Sequence, residues 1–329
     1  MFRTVLISDI GTENIKSGLR GSAATEKNCI ALQSGQELHI AAYGNEAAAF
    51  RSGRIIHPMH EGAAASTNML ALLMKHLAQK YTGRKSTSYI ELHTALPRVT
   101  AGIKRRSFIQ ALKLAGFKEF EIYDSLLMGA IGAGVDIRSH TAEMVVDIGS
   151  ETTGAAIFCN GGILFENTAI AGGKAAECSL KNYFLENHSL LIGARTAETI
   201  KINLDKDVFV VDGRSCATGF PERVSVSGEM LREAALHGLR NVFSCIEDTI
   251  KSVQPEAAAD LLDNGITFIG GGAGQYGLAE EAEKRFGLPV RIAENAVTAA
   301  VDGMKECIFG NKKMYREIIS ENAEFASGE

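Results

Sequence analysis

Two stretches of the chain, more than a hundred residues apart, follow one plan. In the first, Thr4-Val5-Leu6-Ile7-Ser8 runs into Asp9-Ile10-Gly11-Thr12-Glu13-Asn14 and leaves through Ile15-Lys16-Ser17-Gly18-Leu19. In the second, Met144-Val145-Val146 runs into Asp147-Ile148-Gly149, turns through Ser150-Glu151-Thr152-Thr153-Gly154 and leaves through Ala155-Ala156-Ile157-Phe158. An apolar strand, a turn of small and hydroxyl residues and a second strand make a β-hairpin whose turn is not the usual Asn-Gly pair. Glycine lets the backbone come close to a bound group, and successive turn N–H groups form anion-binding nests. An Asp at the end of the first strand suits a hydrated Mg2+, which takes few protein oxygens. Either hairpin alone would be an ordinary tight turn. Repeated, they suggest two related halves facing each other across a cleft. A third element, Ile266-Thr267-Phe268-Ile269 into Gly270-Gly271-Gly272-Ala273-Gly274, adds a strand and a glycine turn before a helix.

At 329 residues the chain has room for two domains with real cores, or for one large α/β domain. A formal net charge of −5 argues against a general nucleic-acid binder, whose phosphate contacts need clustered Lys and Arg. The short run Lys104-Arg105-Arg106 reads as a solvated helix face. Six cysteines (Cys29, Cys159, Cys178, Cys216, Cys245, Cys307) without a C-x-x-C pair read as buried thiols of a reduced, cytosolic chain, not a disulfide framework or zinc site. His57 and His60 flank Pro58 and read as loop residues, not metal ligands. Phe2-Arg3 leads directly into a strand, so no signal peptide is expected, and no apolar run approaches transmembrane length.

Along the chain, residues 30–62 are short, mixed and glycine-punctuated, as in a small strand-bearing insertion. Ser66 or Thr67 caps a helix with Leu70, Leu73, Met74 and Leu77 as its apolar face. Residues 81–88 read as a polar loop before a strand through Ile90 and Leu92. A helix over about 101–115 is closed by Gly116, and Phe120–Tyr123 is a strand. Asp124 and Ser125 can then cap a helix from Leu126 to Gly134, whose small residues permit close helix packing. Gly161–Phe165 opens the next strand pair and Ala171-Gly172-Gly173 the next helix. A helix over 190–204 places Glu198 and Lys201 on one face at i and i+3, the usual spacing of a solvated ion pair. Val208–Val211 and Val224–Val226 are short strands. Ser227 caps one long helix to about Val253, and Pro255 starts another. Gly287 terminates the helix after the glycine turn, Val290–Ile292 is a strand, and a last helix begins near Ala296. The polar tail from Ser320 is expected to fray.

With these pieces placed, the chain resembles the MreB family of bacterial actin homologues over nearly its full length. The resemblance is carried by Asp9-Ile10-Gly11-Thr12, Pro58-Met59-His60-Glu61-Gly62, Ala130-Ile131-Gly132-Ala133-Gly134, Val145-Val146-Asp147-Ile148-Gly149 and Thr152-Thr153. It continues through Ile170-Ala171-Gly172, Leu191-Ile192-Gly193-Ala194-Arg195-Thr196-Ala197-Glu198, Gly270-Gly271-Gly272-Ala273 and Gly287-Leu288-Pro289-Val290. The run from Leu191 to Glu198 is specific to MreB among actin-fold proteins, which disfavours a small-molecule kinase on the same fold. The resemblance implies an α/β, actin-like (ribonuclease H-like) two-domain ATPase fold with the nucleotide cleft between the domains. Domain I would span 1–140 with a small insertion at about 30–62, and domain II 141–303 with one at about 176–246. A C-terminal helix and tail, 304–329, would return to domain I.

The ligands implied are ATP and Mg2+. Asp9 and Asp147 would organise the metal through water. Gly11, Thr12 and Asn14 would hold phosphates from one side, and Gly149 and Thr153 from the other. Glu198 and Lys201 would reach the ribose, and Gly270, Gly271 and Gly272 would lie along the adenosine and its phosphates. Self-assembly into filaments is implied, in the cytoplasm and at the membrane through partners, guiding cell-wall synthesis and cell shape. A conventional paralogue and membrane cell-wall synthesis proteins are the other partners this suggests; nucleic acid is not among them.

The departures from the family pattern bear on turnover. The helix after the strand at 120–123 normally opens with Glu-Glu-Pro, whose second Glu positions the attacking water. Here Asp124-Ser125-Leu126 stands there, so Ser125 takes the place of that carboxylate, while its catalytic partner Thr152 is kept. Serine is no base at neutral pH unless another group activates it. Ser150 and Glu151 replace two glycines of the second loop, and Glu13 brings a further carboxylate to the first. A bare carboxylate about 6 Å from a phosphate charge costs about 3 kcal/mol at an effective dielectric near 20, so weakened ATP affinity is expected. The apolar membrane-inserting loop of the family would fall at 81–88, which is polar, and direct membrane contact is expected to be weak. Two functions follow: an ATP-binding filament former, or a degenerate actin-fold scaffold or regulatory subunit that co-assembles with a conventional paralogue.

Overall fold

The computed structural model describes residues 4–33, 39–97 and 102–310. The polar tail expected to fray lies outside the described residues. These fall into two compact units. One takes in the chain up to His140, the Phe158–Ile163 turn and the segment from Thr298; the other comprises Thr141–Ile157 and Leu164–Val297.

In the first unit the apolar run becomes β1 (Thr4–Ile10), with Leu6, Ile7 and Ile10 buried. It returns antiparallel as β2 (Asn14–Leu19), which places Ile10 opposite Ile15 and Asp9 opposite Lys16, and continues to β3 (Ser22–Lys27). The expected insertion consists of β4 (Ile30–Gln33), β5 (His39–Tyr43), α1 (Gly44–Ala49), β6 (Arg54–Ile56), β7 (Met59–His60) and β8 (Ala63–Ala64). Its sheets are β5-β4-β6 and the ribbon β7-β8. Ser66 Oγ caps α2 (Thr67–Thr82) by accepting from the Met69 N–H, and Leu70, Leu73, Met74 and Leu77 are all buried. This helix runs through Tyr81 and Thr82, which the sequence placed in a loop, and ends at Gly83 in the left-handed region. Then follow β9 (Ile90–Leu96), α3 (Ile103–Leu114) and β10 (Glu119–Asp124), with β9 parallel to both β1 and β10. Within the basic triplet Arg105 is buried instead of solvated, and that burial pulls its pKa down. Asp124 Oδ1 accepts from the Leu127 N–H at 2.9 Å and caps α4 (Ser125–Gly132), leaving Ser125 as its first helical residue.

The second unit repeats the order. Its elements begin with β11 (Glu143–Ile148), β12 (Thr153–Cys159), β13 (Gly162–Ala169), α5 (Gly173–His188), β14 (Leu190–Leu191) and α6 (Ala194–Ile202). They continue with β15 (Val208–Ser215), β16 (Pro221–Ser227), α7 (Gly228–Gly238), α8 (Arg240–Lys251), α9 (Pro255–Asn264), β17 (Ile266–Ile269), α10 (Leu278–Phe286) and β18 (Val290–Ile292). The two five-stranded sheets run β10-β9-β1-β2-β3 and β18-β17-β11-β12-β13. Strand for strand, β1 corresponds to β11, the hairpin β2-β3 to β12-β13, and the parallel pair β9-β10 to β17-β18. Each sheet packs its own apolar core, the first around Leu6, Leu92 and Phe108, the second around Val146, Phe184 and Phe268.

The second unit departs from expectation at two of its helices. Leu190 and Leu191 are not helical: they pair with Ser215 and Arg214 as β14, and the helix starts only after Gly193. The long helix from Ser227 is two helices, α7 and α8. Gly238 packs so tightly on α5 that a Cβ there would stand 2.6 Å from the Ala175 carbonyl oxygen, and the chain bends at Leu239. The last helix, α11, covers Ala299–Phe309. Of the six cysteines, all free, only Cys29, Cys245 and Cys307 are buried; burial pushes their thiols up to about 11, 11 and 12.

Candidate functional site

The first hairpin ends β1 at Asp9. The Gly11 N–H donates to the Asn14 carbonyl at 3.0 Å and closes the turn so tightly that a Cβ on Gly11 would lie 2.9 Å from that oxygen. Asn28 holds the loop from behind. Its N–H donates to the Glu13 carbonyl at 2.8 Å and its Nδ2 to the Gly11 carbonyl at 2.7 Å. Thr12 is buried, and its hydroxyl accepts from the Gly62 N–H at 3.1 Å, which ties the Pro58–Gly62 stretch to the loop. Asp9 Oδ2 accepts from Lys16 Nζ at 2.7 Å, and Glu13 Oε1 from Lys27 Nζ at 3.1 Å.

The second hairpin closes the same way, with the Gly149 N–H on the Thr152 carbonyl at 2.9 Å. Strand alternation separates the two threonines. Thr153 is fully buried and donates its hydroxyl to the Ala171 carbonyl at 2.8 Å, bracing the turn from inside; Thr152 is half-buried. The start of α5 grips the loop through Gly173 N–H to the Gly149 carbonyl (3.0 Å) and Lys174 N–H to the Ser150 carbonyl (2.8 Å). Gly172 cannot carry a side chain, since a Cβ would meet the Gly149 oxygen at 2.5 Å. Glu151 is not the bare carboxylate expected: Lys174 Nζ donates to its Oε1 at 2.7 Å. Glu13 is likewise met by Lys27, so both acidic loop residues carry their own counter-charge, and the repulsion expected of them is offset.

Parallel pairing of β11 and β17 sets Ile269 beside Asp147 and brings the glycine turn to the second loop. Gly270 has φ +89°, and a Cβ there would stand 2.2 Å from Asp147 Oδ1. The Gly272 N–H donates to the Ile148 carbonyl at 2.7 Å, while Gly271 has open space around it. Glu198 and Lys201 both lie in α6, at i and i+3, and Lys201 Nζ donates to Glu177 Oε1 of α5 at 2.5 Å. Glu198 is half-buried and has its own interactions. Ser125 is buried, and its neighbour Asp124 is committed to capping α4.

Asp9 and Asp147 occupy equivalent strand ends, and among the described residues no group of three or more His, Cys, Asp or Glu could hold a metal ion. Two strand-end carboxylates are compatible with a hydrated Mg2+, which takes few protein oxygens. Sequence reasoning missed Lys16, Lys27, Lys174, Asn28 and Glu177. Lys16 alone had a legible signal, because a turn closing Gly11 on Asn14 puts it directly across from Asp9.

A duplicated α/β unit, each copy carrying an Asp-Ile-Gly hairpin at the end of its central strand, defines an actin-like protein. The fold is similar to the crystal structure of MreB5 of Spiroplasma citri bound to ADP (TM-score 0.86, 23% identity, covering 96% of this chain and 98% of that one). It is also similar to the structure of the MamK double helical filament (TM-score 0.75, 19% identity, covering 91% of this chain and 97% of that one). The MreB/Mbl protein family matches residues 4–316, and the chain belongs to that family. Similar relatives are the cell shape-determining protein Mbl of Bacillus subtilis (strain 168), 26% identical over 316 residues, covering 92% of this chain and 95% of the relative, and the cell shape-determining protein MreB of Escherichia coli (strain K12), 27% identical over 321 residues, covering 92% of each. No helix among the described residues is long and apolar enough to cross a membrane.

Proposed function

We propose that this chain binds Mg-ATP through its paired hairpin loops and assembles with itself into filaments that act in cell-shape determination. The observation that carries this is the duplicated closure, Gly11 on Asn14 and Gly149 on Thr152, each beside a strand-end aspartate. Two relatives are named cell shape-determining proteins. Fold neighbours are described as bound to ADP and to AMPPNP, and another as a double helical filament. Mg2+ would supply charge neutralisation at the terminal phosphates. Asp9 and Asp147 would orient its water shell, and the backbone N–H groups of the two turns would receive phosphate oxygens. Gly271, with open space around it, leaves room for a nucleoside to lie against the backbone. Glu198, and Lys201 as held by Glu177, would face the sugar.

A second reading is favoured by one observation, the buried Ser125 in place of a carboxylate: a scaffold or regulatory subunit that binds nucleotide with little or no turnover and co-assembles with a conventional paralogue. Calorimetric titration with ATP and ADP, with and without Mg2+, followed by pelleting of the nucleotide-loaded chain, tests both. Mg-dependent binding and nucleotide-dependent pelleting are the expected results. A folded chain that binds neither nucleotide removes the first reading. One that binds ATP but pellets only with a paralogue supports the second.

A further inference from the structure

Each loop carries a glutamate, and each glutamate is held by a lysine at the end of, or shortly after, the strand that completes its hairpin. Lys27 ends β3 and reaches Glu13; Lys174 follows β13 at the second position of α5 and reaches Glu151. The same segments also hold the loop backbones, through Asn28 N–H on the Glu13 carbonyl and Lys174 N–H on the Ser150 carbonyl. The device is therefore duplicated with the fold, although the pairs lie in different sequence contexts. In the second loop the two partners are unequally placed: the Glu151 side chain is 11% exposed and that of Lys174 is 35% exposed. The carboxylate is the more enclosed member and the ammonium the more exposed one. A lysine in the first turn of a helix is also disfavoured by the helix dipole, whereas an anion there is favoured. Lys174 thus sits where the helix dipole disfavours its charge, and Glu151 is an anion that offsets this.

We infer that Lys174 is a phosphate-binding residue held in reserve by Glu151; the Lys27–Glu13 pair is its structural counterpart in the first loop. The terminal phosphates of a bound nucleotide compete with the glutamate for the ammonium. Triphosphate, with more charge than diphosphate, draws Lys174 away from Glu151 more strongly, so the pair sets the preference for ATP over ADP. This inference rests on the nucleotide-binding reading given above, and concerns which side chains replace the glycine backbone of the second loop.

The test is calorimetric titration of the full chain with Mg-ATP and Mg-ADP at low and high ionic strength, for wild type, Lys174→Met, Lys174→Arg and Glu151→Gln. Thermal melting of each apo variant confirms that it folds. Loss of a charge-assisted contact predicts that Lys174→Met weakens ATP binding about tenfold or more and ADP binding less, with Lys174→Arg restoring most of it. Glu151→Gln releases the lysine and tightens ATP binding, more at low than at high ionic strength. A bracing role alone would lower the melting temperature of both Lys174→Met and Glu151→Gln without separating ATP from ADP. ATP affinity unchanged in folded Lys174→Met, or unchanged or weaker in Glu151→Gln, overturns the inference. If wild type binds no nucleotide, the underlying reading fails, and the Glu13→Gln/Glu151→Gln double variant decides the inference separately: measurable ATP binding upholds it, and none overturns it.

Discussion

Gly132 and Gly303 face each other where α4 and α11 cross. A Cβ on Gly132 would stand 1.8 Å from the Ala299 carbonyl oxygen, and one on Gly303 would stand 1.8 Å from that of Met128. The two backbones are in contact, and neither helix has room to shift without uncovering the buried Met128, Ile131, Val301 and Met304. Gly132→Ala and Gly303→Ala should each destabilise the first unit by about 1–3 kcal/mol, the range for overpacking a tight core. Gly21→Ala, where nothing lies within 4 Å of the added carbon, should stay within about 0.5 kcal/mol. Urea denaturation of the three variants is the measurement.

A second prediction concerns pH. Glu26 is buried on β3, which by itself would raise its pKa. Lys80 Nζ at 2.6 Å, the Asn45 N–H at 2.8 Å and the Tyr81 hydroxyl at 3.2 Å more than offset this, and the net direction is down from 4.5. A carboxylate depressed in the folded state stabilises at pH values above its unfolded pKa, and that contribution is lost as pH falls through the folded value. Glu26→Gln should therefore cost about 1–3 kcal/mol at neutral pH. The gap to wild type should close as the pH drops below about 4. Stability curves that stay equally separated down to strongly acid pH would contradict this.

The membrane prediction gains physical content from the same network. Tyr81, the one large apolar side chain of the 81–88 stretch, is half-buried in the last turn of α2 with its hydroxyl on Glu26. The loop beyond it is tied down by Arg84 Nε on Thr4 Oγ1 at 3.1 Å and by Gln79 Nε2 on the Lys85 carbonyl at 2.6 Å. Nothing in this stretch is apolar and movable enough to insert. The purified chain should co-sediment weakly with both neutral and anionic liposomes, and Tyr81→Ala should leave that unchanged. Strong co-sedimentation with both kinds would contradict it.

The sequence carried the hairpins because Asp-Ile-Gly after an apolar run needs only local chemistry, and the repeat of that signal implied the repeated sheet. It did not carry β14, since Leu190-Leu191 becomes a strand only by pairing with residues 214 and 215, far along the chain. Nor did it carry the break at Leu239, because the helical periodicity continues through it and the cause is contact of Gly238 with α5. The same limit explains the loop charges. Glu13 and Glu151 look repulsive in one dimension because Lys27 and Lys174 lie 14 and 23 residues away. Only the folded hairpins bring each lysine to its glutamate.

Slow ATP hydrolysis is the last expectation, and the surroundings of Ser125 sharpen it. Ser125 opens α4 and is 5% exposed, so its hydroxyl has little surface from which to orient a water molecule. Asp124, the adjacent carboxylate, is no substitute: it is 5% exposed and its Oδ1 is occupied by the Leu127 N–H. Removing Asp124 would cost the helix its cap, about 1 kcal/mol, so it is not free to change roles. Loss of one water-orienting group lowers the rate about a hundredfold or more. Phosphate release from Mg-ATP should accordingly be slow in wild type and faster by a comparable factor in Ser125→Glu, with ATP affinity little changed. A carboxylate in the first turn of α4 suits the helix dipole but the position is buried, so thermal melting first establishes that the variant folds. Thr152→Ala placed on top of Ser125→Glu should remove much of the gain, which distinguishes water positioning from a general effect on binding. Wild type releasing phosphate as fast as Ser125→Glu, with both binding ATP, would show that another group orients the water and that Ser125 marks no loss of turnover.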